Sequence, residues 1–477
     1  MDSSRHKSNA NSHRLHFIKF LHWTVTVATF SVFWLVFHYP NLNMHFTRAV
    51  RYDIFVILGY GVLLIWFNKT YNSYTLGYFR IRSLAFSQTL SDFFSLVIIY
   101  SLVSLAWLKF RSPLMYIPML VIQIVWNVCW SYFATYLYYR IVRCYHTVVV
   151  YRSRNDLTRF GDISGKPIER LFNVEKYLQY NGADFFEIKD ELKGYDALFA
   201  AGVNPSLMNA LCKYCADEDV RGFFLPHIGD IIMCGAEHIK SFTTPVLSVR
   251  RSAKSLEYLA AKRCFDFVVS AIALVILSPL MLLTAILIKV YDHGPVFYKQ
   301  VRLTKDGKEF KIIKFRSMRT DAEKDGVARL STGDKDPRIT PVGRFIRACR
   351  LDELPQLINI LKGDMSIVGP RPERPEIAAE YEKVLPGFRL RLQVKAGLTG
   401  YAQVYGKYNT NPYEKLEFDL LYINQMNIVT DLELMFNTFR ILFSKESTEG
   451  VAVGATTAMD YENAADSTEN DAETVVK

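Results

Sequence analysis

Four long apolar stretches occupy the first third of the chain: Phe17 to Phe37, Tyr52 to Phe67, Phe86 to Leu108 and Tyr116 to Leu137. Each approaches the ~20 residues that an α-helix, rising about 1.5 Å per residue, needs to cross a ~30 Å hydrocarbon core. The pattern predicts a four-span α-helical membrane bundle over residues 17–145, behind a short N-terminal segment 1–16. All six tryptophans (Trp23, Trp34, Trp66, Trp107, Trp126 and Trp130) fall inside these stretches, several near an end where aromatic belts form. Arg5, Lys7 and Arg14 precede the first stretch, Lys69, Arg80 and Arg82 follow the second, and Arg140, Arg143, Arg152 and Arg154 follow the fourth. Arg48, Arg51, Lys109 and Arg111 lie in the opposite loops, so a modest positive-inside bias sets both ends of the bundle in the cytoplasm. Buried core helices are the alternative, and these lengths disfavour it. The first stretch is also too long for a cleavable leader.

From His146 the pattern changes to short apolar runs separated by helical periodicity. Val148 to Tyr151, Ala197 to Ala201 and Gly222 to Leu225 read as strands, with Pro205 to Cys215 as a helix between two of them. Strands alternating with helices predict a small α/β domain with a parallel sheet over residues 146–250. After the first strand stand Arg152, Ser153, Arg154 and Asn155, with no glycine to admit a pyrophosphate to the backbone. This domain therefore reads as structural or regulatory.

A fifth apolar segment, Phe265 to Ile288, opens the last region, and Ser278-Pro279 sits in its middle. Proline removes a backbone donor and clashes with the carbonyl four residues back, so a kink is expected. Lys254, Lys262 and Arg263 flank the segment on one side and Lys289, Lys299 and Arg302 on the other. A helix that enters, breaks at Ser278-Pro279 and returns keeps both clusters on one face, whereas a kinked ordinary span would separate them.

Composition points to long apolar segments alternating with ordinary charged domains rather than to a soluble globule: 50% of the 477 residues are hydrophobic while 22% are charged, with a net charge of +10. The seven cysteines are scattered, Cys212 and Cys215 offer only half a zinc site, and all read as reduced thiols. Between Lys299 and Arg350 fifteen basic residues face seven acidic ones. Such a field beside a membrane helix suits anionic lipid heads and a diphosphate. It would equally suit nucleic acid, but a nucleic-acid binder needs neither a broken apolar helix nor the carboxylate pair that follows.

That pair is Asp352-Glu353. Leu354, Leu357, Ile358 and Leu361 repeat at i, i+3, i+4 and i+7, Pro355 suits a first turn, and Gly363 suits a C-terminal stop. The acids thus fall at or just before a helix N-terminus, where dipole and free amides should keep Asp352 ionised and favour phosphate. A capping acid would account for one carboxylate, not for two among Arg344, Arg347, Arg350 and Arg371.

In order along the chain come Gly294-Pro295-Val296-Phe297-Tyr298-Lys299-Gln300-Val301-Arg302, Lys314-Phe315-Arg316-Ser317-Met318, Leu351 to Leu357, Lys362 to Glu373 with Gly369-Pro370-Arg371-Pro372 inside it, and Ala396 to Val404. From about Tyr258 to Ser444 the chain resembles the monotopic bacterial sugar transferases, the polyprenyl-phosphate phosphoglycosyltransferases. The upstream spans and α/β domain resemble the family's large members, whose middle domain is a degenerate nucleotide-binding fold linked to homodimer formation.

The resemblance implies a mainly α monotopic catalytic domain over residues 255–446 with a re-entrant membrane helix; the tail over 447–477, rich in Ala, Thr, Glu, Asp and Gly with little apolar periodicity, is expected to be disordered. It implies transfer of a hexose-1-phosphate from a UDP-sugar to undecaprenyl (polyprenyl) phosphate at the bacterial inner membrane, the catalytic domain on the cytoplasmic face. UMP would be released through an aspartyl phospho-sugar intermediate, in the first membrane step of exopolysaccharide, capsule or O-antigen synthesis. Asp352 would be the nucleophile, and Glu353 would tune it or share with it in holding Mg²⁺. Lys314, Arg316, Arg347 and Arg350 would balance phosphate charge, and Gly369, Pro370, Arg371 and Pro372 would form the loop near the nucleotide. Galactose, glucose and acetamido sugars all remain open as cargo. A scaffold or channel, which the first four spans alone would suit, and a glycosyltransferase that moves sugar without its phosphate are the competing readings.

Overall fold

The computed structural model describes residues 2–38, 46–108, 112–160, 170–182, 184–239, 244–251, 254–320, 322, 336–406 and 411–442. The chain divides into two compact units, Met1–Leu225 and Pro226–Lys477. The tail 447–477 and part of the basic run, Lys324, Arg329 and Lys335 included, lie outside the described residues.

The first unit opens with four helices, α1 (Asp2–His38), α2 (Phe46–Thr70), α3 (Ile81–Trp107) and α4 (Ile117–Ile141). With the long helix of the second unit, five described helices are long and apolar enough to cross a membrane by length and composition. The expected apolar stretches fall inside these helices, Leu108 and Tyr116 at the margins excepted, and three of the four helices begin well before their stretch. Helical hydrogen bonding continues into polar flanks that hydropathy alone leaves out. Apolar faces point outward, as Phe55, Val62, Leu105 and Val125 show, while a polar seam is buried. Asn127 Nδ2 donates to Asp92 Oδ2 at 2.7 Å, and Asn127 Oδ1 lies 3.0 Å from His22 Nε2. An amide oxygen only accepts, so Nε2 is the donor and Nδ1 is left to accept from the Tyr74 hydroxyl at 3.1 Å. Such side chains tie helices together where apolar contact cannot discriminate protein from lipid.

The same unit carries a four-stranded parallel sheet of β1 (Tyr145–Tyr151), β2 (Phe172–Gln179), β3 (Ala197–Ala201) and β4 (Arg221–Phe224), in the order β2-β1-β3-β4. Three strands match expectation; β2 does not. As an edge strand it reads Phe-Asn-Val-Glu-Lys-Tyr-Leu-Gln, with only Phe172 fully buried. Central β3 is buried throughout. At the turn after β1, Asp156 Oδ2 accepts from Ser153 N at 2.9 Å and from Ser153 Oγ at 2.7 Å. A Cβ on Gly202, which has φ +65, would lie 2.2 Å from that same oxygen. A carboxylate thus packs against Gly202 at the turn that follows β1.

The second unit begins with a helix, Ile228–Cys234, and an antiparallel pair, Glu237–Ile239 with Val246–Ser248. These residues, grouped with the middle domain in the sequence reading, join the later core instead: Ile231 is buried in it and its carbonyl accepts from Asn424 Nδ2 at 2.6 Å. The long helix Leu256–Asp292 then runs 37 residues, with Pro279 inside it. Expected to break at Ser278-Pro279, the segment keeps continuous helical assignment through the proline. Ser278 Oγ donates to Val275 O at 2.8 Å, the carbonyl four residues before the proline. Tyr258, Phe265, Val269 and Leu277 pack on the main core, while Met281, Ala285 and Ile288 pack with Phe315 and Ile346.

An antiparallel hairpin, Phe297–Leu303 with Glu309–Phe315, lies beside a short parallel pair, Ser366–Val368 with Gly397–Thr399. Helices Pro341–Ala348, Gln356–Lys362, Pro375–Val384, Pro412–Gln425 and Ile428–Leu442 surround them. Asp266 of the long helix accepts from Ser366 Oγ at 2.7 Å and from Ile367 N at 3.2 Å, which sews the helix to the parallel pair.

Candidate active site

The carboxylate pair sits on a single turn, Leu351–Glu353, between helices Pro341–Ala348 and Gln356–Lys362. Arg350 enters this turn at φ 56, a left-handed conformation that non-glycine residues seldom adopt. The second helix stops at Gly363, φ 94, and Arg263 of the long helix donates to its last carbonyls, Ile360 O at 2.6 Å and Leu361 O at 2.8 Å. Its other anchor is Asn359, which accepts from Ile313 N at 3.0 Å and donates to Lys311 O at 2.9 Å. Asn359 thus supplies to the free edge of the hairpin the donor and acceptor of a missing strand. Lys314, next along that strand, is thereby held 3.4 Å from Glu353 Oε1.

Glu353 Oε1 also accepts from Arg371 Nη2 at 3.1 Å and lies 3.9 Å from Arg350 Nη1. Burial acts to raise the Glu353 carboxyl, but Arg371, Lys314 and Arg350 outweigh it and hold the group well below the usual carboxylate range. Asp352 behaves oppositely. Burial and then the charge of Glu353 push its pKa up, against the pull of Lys314, Arg347 and Arg350. The expected dipole stabilisation of Asp352 does not prevail: the helix begins only at Gln356, runs seven residues, and leaves the acid among groups that penalise its charge. Burial also lowers the Lys314 pKa. One carboxylate is clamped and charged; its neighbour accepts no hydrogen bond among the described residues.

Arg371 belongs to a loop that prolongs the parallel pair. Gly369 N donates to Thr399 O at 2.8 Å, and Gly397 N to Pro370 O at 2.9 Å. A Cβ at Gly369 would fall 2.4 Å from Lys395 O, so only glycine lets the two segments approach this closely. The Arg371 carbonyl accepts from Arg391 Nη2 at 2.8 Å, and Arg302 Nη1 donates to Pro372 O at 3.1 Å. Arg391 in turn lies 2.7 Å from Asp419 and 3.7 Å from Glu373, which Lys415 also approaches at 3.7 Å. Burial pushes the Asp419 carboxyl up to about 6 against its arginine partner. Glu373 stays below its ordinary value because Lys415, Arg391 and Arg302 overcome its burial.

The structure thus brings together Asp352, Glu353, Lys314, Arg350 and Arg371, with Arg347 close enough to act on Asp352, and seats Gly369, Pro370 and Pro372 in the supporting loop. It sets Arg316 apart. That side chain is buried and bonds Asp292 at the end of the long helix, tying helix to hairpin. Gly294 makes the room, since a Cβ there would lie 2.7 Å from Arg316 Nη1. Ser278 and Pro279 are exposed on the long helix and are not part of this charge cluster. Sequence reasoning did not single out Asn359, Arg391, Asp419 or Lys415. A signal exists for Asp419: with Leu416, Leu420 and Ile423 it occupies the buried face of helix Pro412–Gln425, where an acid demands a partner.

For a divalent metal the protein offers little by itself. Among the described residues no group of three or more His, Cys, Asp or Glu side chains converges. Asp352 and Glu353 fit an ion that takes one or two carboxylates and completes its shell with phosphate oxygens and water, as Mg²⁺ does.

The family model for bacterial sugar transferase matches residues 257–445. Similar proteins include the UDP-glucose:undecaprenyl-phosphate glucose-1-phosphate transferase of Escherichia coli (strain K12), 38% identical over 237 residues, 49% of each chain. The putative undecaprenyl-phosphate N-acetylgalactosaminyl 1-phosphate transferase of Bacillus subtilis (strain 168) is 46% identical over 33% of this chain and 82% of its own. The exopolysaccharide production protein PSS of Rhizobium leguminosarum bv. phaseoli is 41% identical over 38% of this chain and 94% of its own. The match spans about half the length of the Escherichia coli relative and most of the two shorter ones. With the family model lying on the residues that build the Asp352-Glu353 site, and short relatives matched along most of their length, the chain belongs to the bacterial sugar transferase family.

Proposed function

We propose that the protein transfers a sugar-1-phosphate from a UDP-sugar to a polyprenyl phosphate, in two displacements at phosphorus. An Asp352 carboxylate oxygen attacks the phosphorus that bears the sugar, the bond to the bridging oxygen breaks, and UMP leaves. A phosphate oxygen of the polyprenyl phosphate then attacks the same phosphorus and releases the carboxylate, giving a membrane-held diphosphate-linked sugar. The observation that carries the reading is the contrast within one turn: Glu353 clamped by Arg371, Lys314 and Arg350, Asp352 beside it without a hydrogen bond. Arg371 and Lys314 would balance charge on the donor phosphates, and Arg347 and Arg350 would do so beside the nucleophile. Mg²⁺ bound through Asp352 or Glu353 and donor oxygens would stabilise the departing phosphate.

The five apolar helices and the names of the relatives support a bacterial inner membrane location, with the catalytic part on the cytoplasmic face where UDP-sugars are found. Pro279 inside the long helix, with Lys254, Lys262 and Arg263 before it and Lys289, Lys299 and Arg302 after it, supports a bend that returns the helix to the face it left. The parallel sheet supports a structural domain, and a homodimer is the expected assembly. Labelled UDP-glucose and UDP-N-acetylgalactosamine, offered without lipid acceptor, test the mechanism. Sugar-phosphate should become protein-bound with release of UMP in the wild type and not in Asp352→Asn. Release of UDP instead would identify transfer of the sugar without its phosphate and overturn the reading.

A further inference from the structure

The second unit holds a cavity of about 860 Å³ whose lining includes none of the carboxylate-pair residues. Four cations, Arg250, Arg251, Lys254 and Arg389, stand in its wall against two acids, Glu237 and Asp306. Both acids are already neutralised, Glu237 by Arg250 at 3.1 Å and Asp306 by Arg251. Arg389 Nε lies 3.7 Å from Glu382 Oε1, so among the described residues Lys254 is the one cation of the wall without an acidic partner, and the lining also carries an apolar part, Leu390, Leu420 and Ile423. Lys254 Nζ, half-buried, is held at the wall by Asn424 O at 3.0 Å.

Two walls of this cavity are also walls of the Arg371 loop. In the turn Phe388–Gln393, Arg389, Leu390, Leu392 and Gln393 line the cavity, while Arg391 points the other way and holds the Arg371 carbonyl. In helix Pro412–Gln425, Leu420, Ile423 and Asn424 line it, while Asp419 binds Arg391 and Tyr422 donates to Val368 O at 3.0 Å. Each element thus presents alternate residues to the cavity and to the residues that position Arg371. The Arg391 bonds to Asp419 and to the Arg371 carbonyl therefore connect both walls to the loop that carries Arg371.

We propose that this cavity is a second, regulatory site for a phosphate-bearing molecule with an apolar portion, and that its occupancy sets the position of Arg371. This inference rests on the transfer reading above. Phosphate matches the Lys254 ammonium together with three exposed guanidiniums that can turn from their surface acids, and the leucine and isoleucine part of the lining matches a chain or ring. The ligand chemistry has two sources, an anionic phospholipid headgroup or a free organic phosphate.

The test uses the full chain in nanodiscs and follows both initial UMP release and maleimide labelling of Cys234, exposed and adjacent to cavity residue Gly235. One arm compares discs of phosphatidylcholine with discs containing phosphatidylglycerol; the other adds glycerol 3-phosphate to phosphatidylcholine discs. In one arm the rate should change at least threefold and Cys234 labelling should slow. Arg250→Glu with Lys254→Gln should abolish both responses while keeping the rate in phosphatidylcholine within about twofold of wild type. Ser248→Trp, which fills the cavity from its wall, should also abolish them and guards against misfolding of the charge variant. A wild type indifferent to both arms, or a response that survives in a variant retaining basal activity, would overturn the regulatory site. Loss of UMP release from wild type under all conditions would instead refute the transfer reading.

Discussion

The Ser278 hydroxyl donates to the main-chain carbonyl of Val275 at 2.8 Å, supplying the hydrogen bond that Pro279 lacks the N–H to make. An unpaired carbonyl in an apolar setting costs several kcal/mol, so the serine makes the proline tolerable. Pro279→Leu restores the backbone donor and should straighten the helix, driving it toward a true span. Single cysteines at Tyr258 and His293 report the outcome with a membrane-impermeant maleimide. Both should label from the cytoplasmic side in the parent, on opposite sides in the variant, with transfer falling at least tenfold; opposite sides in the parent would refute the bend.

Asp352 titrates higher than an ordinary carboxylate because it is buried beside charged Glu353. A nucleophilic carboxylate must be ionised, so the rate should fall with decreasing pH from a point above the usual aspartate range. Glu353→Gln removes the adjacent negative charge, lowers the Asp352 pKa and should move this acid limb to lower pH. The same variant should reduce the maximal rate, since Arg371 and Lys314 lose the group that positions them. A pH–rate profile of kcat in both proteins decides it, and an unmoved limb would assign the titration elsewhere.

Asn359→Ala should be costly although it touches no substrate. It strands the Ile313 N–H and the Lys311 carbonyl in a buried place, for a loss of about 2–3 kcal/mol in unfolding free energy. The displaced hairpin should also carry Lys314 away from Glu353. Thermal denaturation in detergent and the KM for the donor would both register the change; wild-type stability would show that the hairpin edge needs no such partner.

Few protein groups are available to a divalent ion, so its affinity should depend on the donor. Chelation should abolish transfer, Mg²⁺ should restore it, and Mg²⁺ binding measured by calorimetry should be weak until a UDP-sugar is present. Full transfer in chelator would remove the metal from the mechanism.

Hydropathy, periodicity and motif order determined a good deal by themselves. The four N-terminal helices, strands β1, β3 and β4, and the turn bearing Asp352 and Glu353 follow from local patterns, because apolar runs and turn residues act within a few positions, whereas Lys314 and Arg371 reach Glu353 from 39 and 18 residues away. Other features were decided by contacts across long stretches of chain. β2 is half polar and becomes a strand only by pairing with β1. Arg316 sits within a basic motif, yet folding delivers Asp292 to it from 24 residues away. Arg391 meets Arg371 across 20 residues, and Asn127 meets His22 across 105. A lone polar residue on a helix shows which face it occupies but not which partner will satisfy it there. Burial makes a missing partner expensive, so the tertiary structure, which alone supplies the partners, settled which charges hold the site and which hold the fold.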